Sequence, residues 1–186
     1  MHRITVLALL RAHLAASPAA LEAAMTAETI CFVEARGDCL RRSCAPGHLT
    51  GSAWVVNPSS TRTLLTHHRK LDKWLQLGGH ADGDPDLLAV AMREAREESG
   101  LTRLDVRSPA IFDLDRHWIP ARKAELAHWH YDLRFLLEAD DTEPLVRSSE
   151  SKDLAWVDVA RVTTLNPEES MARMVRKTLQ QTGASG

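Results

Sequence analysis

The stretch that decides the fold is Gly79-His80-Ala81-Asp82-Gly83-Asp84-Pro85-Asp86-Leu87-Leu88-Ala89-Val90-Ala91-Met92-Arg93-Glu94-Ala95-Arg96-Glu97-Glu98-Ser99-Gly100-Leu101. Asp84 reads as an N-cap with Pro85 at the first helical position, and Gly100 as the stop, which predicts a helix over 86–99. At about 100° per residue, Leu87 and Ala91 share a meridian with Val90 and Leu88 on its flanks, an apolar stripe made for a core. Glu94 and Glu98 continue that same meridian. Two glutamates one turn apart repel each other by roughly 0.2–0.5 kcal/mol even when exposed, and partial burial raises the cost unless a cation lies between them.

Glu97 lies to one side of this pair, four residues after Arg93, the spacing of a helix-surface ion pair. As charge alone, the cluster is an ordinary solvated helix face. Its continuity with Leu87 and Ala91 favours a metal site, and carboxylates without Cys or His among them suit magnesium or manganese.

The same run resembles the Nudix box, G-x5-E-x7-R-E-U-x-E-E-x-G-U with U apolar. It departs from the pattern once, with Pro85, flanked by Asp84 and Asp86, where the family has Glu. The resemblance implies an α/β fold, a Nudix-type α/β/α sandwich around a mixed sheet. It implies Mg2+- or Mn2+-dependent hydrolysis of a pyrophosphate bond in a nucleoside diphosphate linked to another group, or in a nucleoside triphosphate. It also assigns roles: Glu94 and Glu98 as metal ligands, Glu97 as a further ligand or a base, the Gly79 carbonyl as a completing ligand, and Arg93 as the residue that orients Glu97. A non-catalytic nucleotide-ligand sensor on the same fold is the alternative. Loss of the metal glutamates would favour it, and all are present. The extra motifs of the coenzyme A, NADH and ADP-ribose subgroups are not found, so the substrate stays open.

Beyond the box, Glu150 falls where Nudix enzymes often carry an acid near the metals, sometimes the general base; it reads equally well as an exposed loop acid. His128, His130 and Asp132 alternate along an expected strand and so share one face, where they could line a substrate pocket or edge the sheet. His80 adjoins Gly79, close to the metals the resemblance implies, and is a candidate for the substrate pocket. His67, His68, Arg69 and Lys70 are candidates for phosphate or ribose contacts, or simply a charged hairpin. Of five tryptophans, most sit in apolar segments and are expected in the core.

Further outward, residues 1–45 read as a helical extension split at Ser17-Pro18, with Leu7, Leu10, Leu14 and Leu21 at helical spacing, and residues 46–186 as the Nudix domain. Strands are expected at 52–56, 62–66, 74–77, 104–114, 129–137 and 154–157, and a closing helix at 167–180. The chain has 186 residues, 23 Lys and Arg against 25 Asp and Glu, which leaves no charged footprint for a nucleic-acid polymer or an anionic membrane. No run is long enough to span a bilayer, and a cytoplasmic protein, with a homodimer open, is expected. Cys31, Cys39 and Cys44 are expected as free thiols. A zinc site from Cys39, Cys44 and His48 has loose spacings and no obvious fourth ligand.

Overall fold

The computed structural model describes residues 3–16, 19–121 and 126–183. Its elements run α1 (Arg3–Ala15), α2 (Ala20–Ala35), β1 (Gly47–Val56), β2 (Arg62–His68), β3 (Lys73–Leu75), β4 (Leu77–His80), α3 (Leu87–Ser99), β5 (Asp105–Val106), β6 (Asp113–Ile119), β7 (His128–Glu138), β8 (Ser151–Asp158), α4 (Val162–Leu165) and α5 (Glu169–Gly183). The class is α/β, as expected: among the described residues the strands form one mixed eight-stranded sheet of order β3-β2-β1-β7-β5, with β4 on β1, β6 on β7 and β8 on β2.

Contacts divide the described residues into two compact units. The first draws on 1–52, 78–91 and 109–135. Here α2 starts after Ala19, whose side chain makes no cap bond; the expected Ser17-Pro18 cap lies outside the described residues. The face that α2 buries is Glu22, Thr26, Thr29 and Val33, and in α1 it is Val6 and Leu10. The expected leucine stripe is therefore only partly used, and Leu21 is exposed. Glu22 is what turns α2 toward the sheet: its Oε1 accepts the Leu114 backbone N–H of β6 at 3.1 Å and lies 2.9 Å from His13 Nε2. Phe32 stacks on Tyr131 with ring centroids 4.2 Å apart.

The second unit draws on 53–77, 92–108 and 136–186. β2 pairs antiparallel with both β3 and β8, and β5 pairs with the end of β7 through Asp105–Glu138 and Val106–Leu137. α5 is amphipathic, burying Met171, Met174, Val175 and Thr178, and Trp54 Nε1 donates to Thr178 Oγ1 at 2.9 Å. Gly100, at φ 73°, closes α3 in the left-handed conformation, where a side chain would also strike Val146 at 2.6 Å.

Three expectations change. The strand expected at 104–114 is two strands, β5 and β6, separated by a stretch containing Pro109, which has no N–H for a ladder. β1 begins five residues earlier than expected: His48 and Thr50, polar positions that apolar patterning does not mark as strand, are buried strand residues, as is Ser52 at the start of the expected strand. The α3 cap shifts by two: Asp86 Oδ1 accepts the Ala89 N–H at 3.0 Å and the helix starts at Leu87, while Asp84 Oδ1 accepts the Asp86 N–H at 2.9 Å. Pro85 lies between the two aspartates, outside the helix, so Asp84 forms a turn and Asp86 forms the cap.

Candidate active site

On α3 the fully buried line is Leu87, Val90, Ala91, Ala95 and Ser99. The core meridian thus drifts from Ala91 to Ala95 and Ser99, leaving Glu94 and Glu98 half-buried at its edge rather than on it. The Glu94 side chain is 21% exposed and that of Glu97 63%. Arg93 Nη2 donates to Glu94 Oε1 at 3.0 Å, while its Nε lies 4.0 Å from Glu97 Oε1. The expected Arg93–Glu97 pair is present as the longer contact, and the short bond goes to Glu94. Glu94, Glu97 and Glu98 give an all-oxygen donor set on two turns of one helix, which suits a hard divalent cation. Gly79 lies in β4, in the first unit.

The first unit carries a polar face that spacing revealed only in part. His128, His130, Asp132 and Arg134 alternate along β7, and Asp113, Asp115 and His117 along β6, in a register that sets Asp113 opposite Arg134, Asp115 opposite Asp132 and His117 opposite His130. His48, Thr50 and Ser52 alternate along β1. At one end the face is ionic. Arg134, 2% exposed, reaches Asp132 at 2.8 Å, Asp113 at 3.1 Å and Asp115 at 3.4 Å, and Asp132 Oδ1 accepts the Thr50 and Ser52 hydroxyls at 2.8 and 2.7 Å. Burial alone would push the Asp132 carboxyl up, but the Arg134 guanidinium and these donors win and hold it below the usual range. Gly78 permits this arrangement, since a Cβ there would lie 2.3 Å from Ser52 Oγ.

At the other end are imidazoles. One ring nitrogen from each of His48, His128 and His130 lies within 4.8 Å of the others, and His128 Nε2 is 3.1 Å from His130 Nε2. His80 joins them with ring centroids 4.9 Å from His48 and 5.0 Å from His130. Burial, reinforced by the neighbouring histidines and Arg42, lowers His48 to about 4, and burial with the surrounding histidines lowers His130 to about 2, so both rings are neutral near pH 7. His48 is 3% exposed and neither of its ring nitrogens has a hydrogen-bond partner, an omission that costs on the order of 1–3 kcal/mol. A pocket of about 240 Å³ opens beside these rings, lined by Arg42, Cys44, His48, His80 and His128 among others.

The structure brings the expected His80, His128 and His130 together and adds His48, Asp113, Asp115, His117 and Arg134, which the sequence reading did not group. The signal was there as three alternating runs, His-x-Thr-x-Ser, Asp-x-Asp-x-His and His-x-His-x-Asp-x-Arg. Arg69 and Glu150 meet in the second unit: the Arg69 N–H donates to the Glu150 carbonyl at 2.9 Å and its guanidinium to the Ser149 and Ser151 carbonyls at 3.1 Å each. Glu150 itself is exposed. His67 lies 2.9 Å from Asp72 and stacks on Trp74, in keeping with a charged hairpin. Of the tryptophans only Trp54 is fully buried, and Trp118 is half-exposed against Trp129, so the expected core role holds for one of them. The cysteines are free, and the companions of His48 are histidines rather than Cys39 and Cys44.

The profile of the NUDIX domain matches residues 48–178, and the chain belongs to this family. The match leaves α1 and α2 outside it. Solved structures of similar fold include an Ap4A hydrolase binary complex from C. elegans, at 16% identity and TM-score 0.59, covering 73% of this chain and 98% of that one. The E. coli dihydroneopterin triphosphate pyrophosphohydrolase is similar at 14% identity and TM-score 0.55 over 71% of this chain and 95% of that one. The NUDIX domain of Shewanella oneidensis NrtR, complexed with ADP ribose, is similar at 15% identity and TM-score 0.51 over 72% and 86%. No curated protein matches the chain. No described helix is long and apolar enough to cross a membrane.

Proposed function

We propose that this protein is a Mg2+- or Mn2+-dependent pyrophosphohydrolase acting on a nucleoside diphosphate linked to another group, or on a nucleoside triphosphate. The observation that carries the reading is the pair Glu94 and Glu98, half-buried at the edge of the α3 core line with Glu97 beside them, in a chain of the Nudix family. A divalent ion held by these glutamates would neutralise the diphosphate and steady the departing oxygen. The remaining work falls to the chain. Glu97 or Glu150, both exposed, takes the proton of the attacking water as the phosphorus–oxygen anhydride bond breaks; Arg93 restrains Glu94 and, more loosely, Glu97. Arg69 holds the Glu150 turn through its backbone bonds, which favours a positioning role over substrate contact. His80 and His128, which line the pocket, and His130 are proposed to contact the substrate.

A screen of nucleoside diphosphate derivatives with magnesium, read as phosphate released after phosphatase treatment, tests this. Turnover of at least one member is expected, abolished by chelator and lowered on the order of a hundredfold in Glu98→Gln. Turnover of none, with the protein still binding one of them, would establish the sensor reading instead. Undiminished turnover in Glu98→Gln at saturating magnesium would refute the metal assignment.

A further inference from the structure

The imidazole end of the polar face is a donor set distinct from the glutamates of α3. We propose that His48, His128 and His130 bind a divalent transition-metal ion, zinc being the best match, with one coordination position open to the adjoining pocket. Tetrahedral zinc at bonds of about 2.0–2.1 Å sets its nitrogen ligands ~3.3 Å apart. His128 Nε2 and His130 Nε2 are 3.1 Å apart, sharing a hydrogen bond that the metal would replace, and one ring nitrogen from each of the three histidines lies within 4.8 Å of the others, so modest ring adjustments would bring them to ligand spacing.

Two further observations point to a ligand. A neutral imidazole carries one N–H and one lone pair, and in buried His48 both are without a hydrogen-bond partner. A metal would use that lone pair. His128 Nδ1 is 2.7 Å from the Leu126 carbonyl, which can only accept, so Nδ1 carries the proton and Nε2 presents its lone pair toward His130. A backbone acceptor that fixes the tautomer in this way is the usual outer shell of a metal-binding histidine. All-nitrogen donors select zinc, nickel or copper over magnesium, which takes oxygen. Because His48 and His128 also line the pocket, the fourth position faces it, the arrangement of a site that can accept a water or an anionic ligand group.

The test uses the full chain, stripped with chelator and titrated with zinc chloride in a calorimeter without substrate, so it succeeds or fails independently of the hydrolase reading. About one equivalent is expected at micromolar affinity or tighter. His48→Gln and His130→Gln should each weaken zinc by more than about a hundredfold, beyond the effect of an outer-shell partner. With excess magnesium present to fill the glutamates, Glu98→Gln should leave zinc affinity at the histidines unchanged, which separates the two donor sets. If the histidine variants fail to fold, X-ray absorption on the zinc-loaded wild-type chain decides, with nitrogen at about 2.0–2.1 Å and imidazole outer-shell scattering expected. Substoichiometric uptake by the wild type, an oxygen-only shell, or undiminished affinity in folded histidine variants would overturn the proposal.

Discussion

Replacing Arg134 with methionine keeps most of the side-chain volume and removes the guanidinium that lies against Asp113, Asp115 and Asp132 at 3.1, 3.4 and 2.8 Å. Asp113 and Asp132 are 0% and 2% exposed, so water cannot replace the guanidinium. Breaking a buried ion pair from one side costs about 3–5 kcal/mol. An independent ceiling comes from protonation: at a pH of about 7.5, supplying the proton that silences one carboxylate of ordinary pKa costs about 5 kcal/mol, and at about pH 5 only about 1.5 kcal/mol. In the wild type Asp132 is held below its ordinary range, so its contribution is present above about pH 4 and is lost as pH falls through the depressed value. In the variant the carboxylates are pushed up instead, and the penalty grows with pH. The gap between variant and wild type should therefore be about 3–5 kcal/mol near pH 7.5, or roughly 6–20 °C in Tm. It should narrow by about 2–3 kcal/mol near pH 5. Urea denaturation of both proteins at the two pH values measures this. A gap below about 1 kcal/mol, or one that does not change with pH, would refute the account of the polar face.

Two other expectations concern the same physics of satisfied polar groups. Asp86→Ala should destabilise the fold by about 0.5–2 kcal/mol as a lost cap, while Asp84→Ala, which loses an exposed turn bond, should cost less; the reverse order in urea would restore Asp84 as the cap. Glu22→Leu strands the buried Leu114 N–H and the His13 partner and should cost about 1–3 kcal/mol, with deletion through Arg36 costing more by uncovering β6. A truncated chain with unchanged melting would show that α1 and α2 do not support β6.

The helix of the Nudix box, its glycine stop and its half-buried glutamates were legible because a period of 3.6 residues registers burial directly. The cap was misplaced by two positions because Asp84-Pro85-Asp86 offers two aspartates with equal claims and only the backbone distinguishes a turn from a helix start. Hydrophobic alternation missed the first half of β1 and most of β6 for a different reason. There the inward face is made of His48, Thr50, Ser52 and Asp113, which are buried, and Asp115 and His117, which are partly buried, residues whose placement depends on partners far along the chain, and a single segment does not show its partners. The alternation of His128, His130 and Asp132 shows that they share a face; that Arg134, two residues on, supplies the charge that makes the face tolerable depends on Asp113 and Asp115 of β6, which spacing within β7 does not show.

The pairing of β6 with β7 also bears on how the chain finds its native alignment. Sliding one strand by a single residue would turn its side chains to the opposite face and is excluded by burial alone. Sliding it by two leaves every side chain on the correct face, so apolar patterning is blind to that error. The charges are not. Displaced one way, Arg134 would sit opposite Ile111 and Asp132 opposite Asp113; displaced the other way, Arg134 would face Asp115 but buried Asp113 would sit opposite Leu136 and lose its contact at 3.1 Å. Arg134 and its aspartates thus act as a vernier for strand alignment, and the setting they choose is the one that brings His117 abreast of His130.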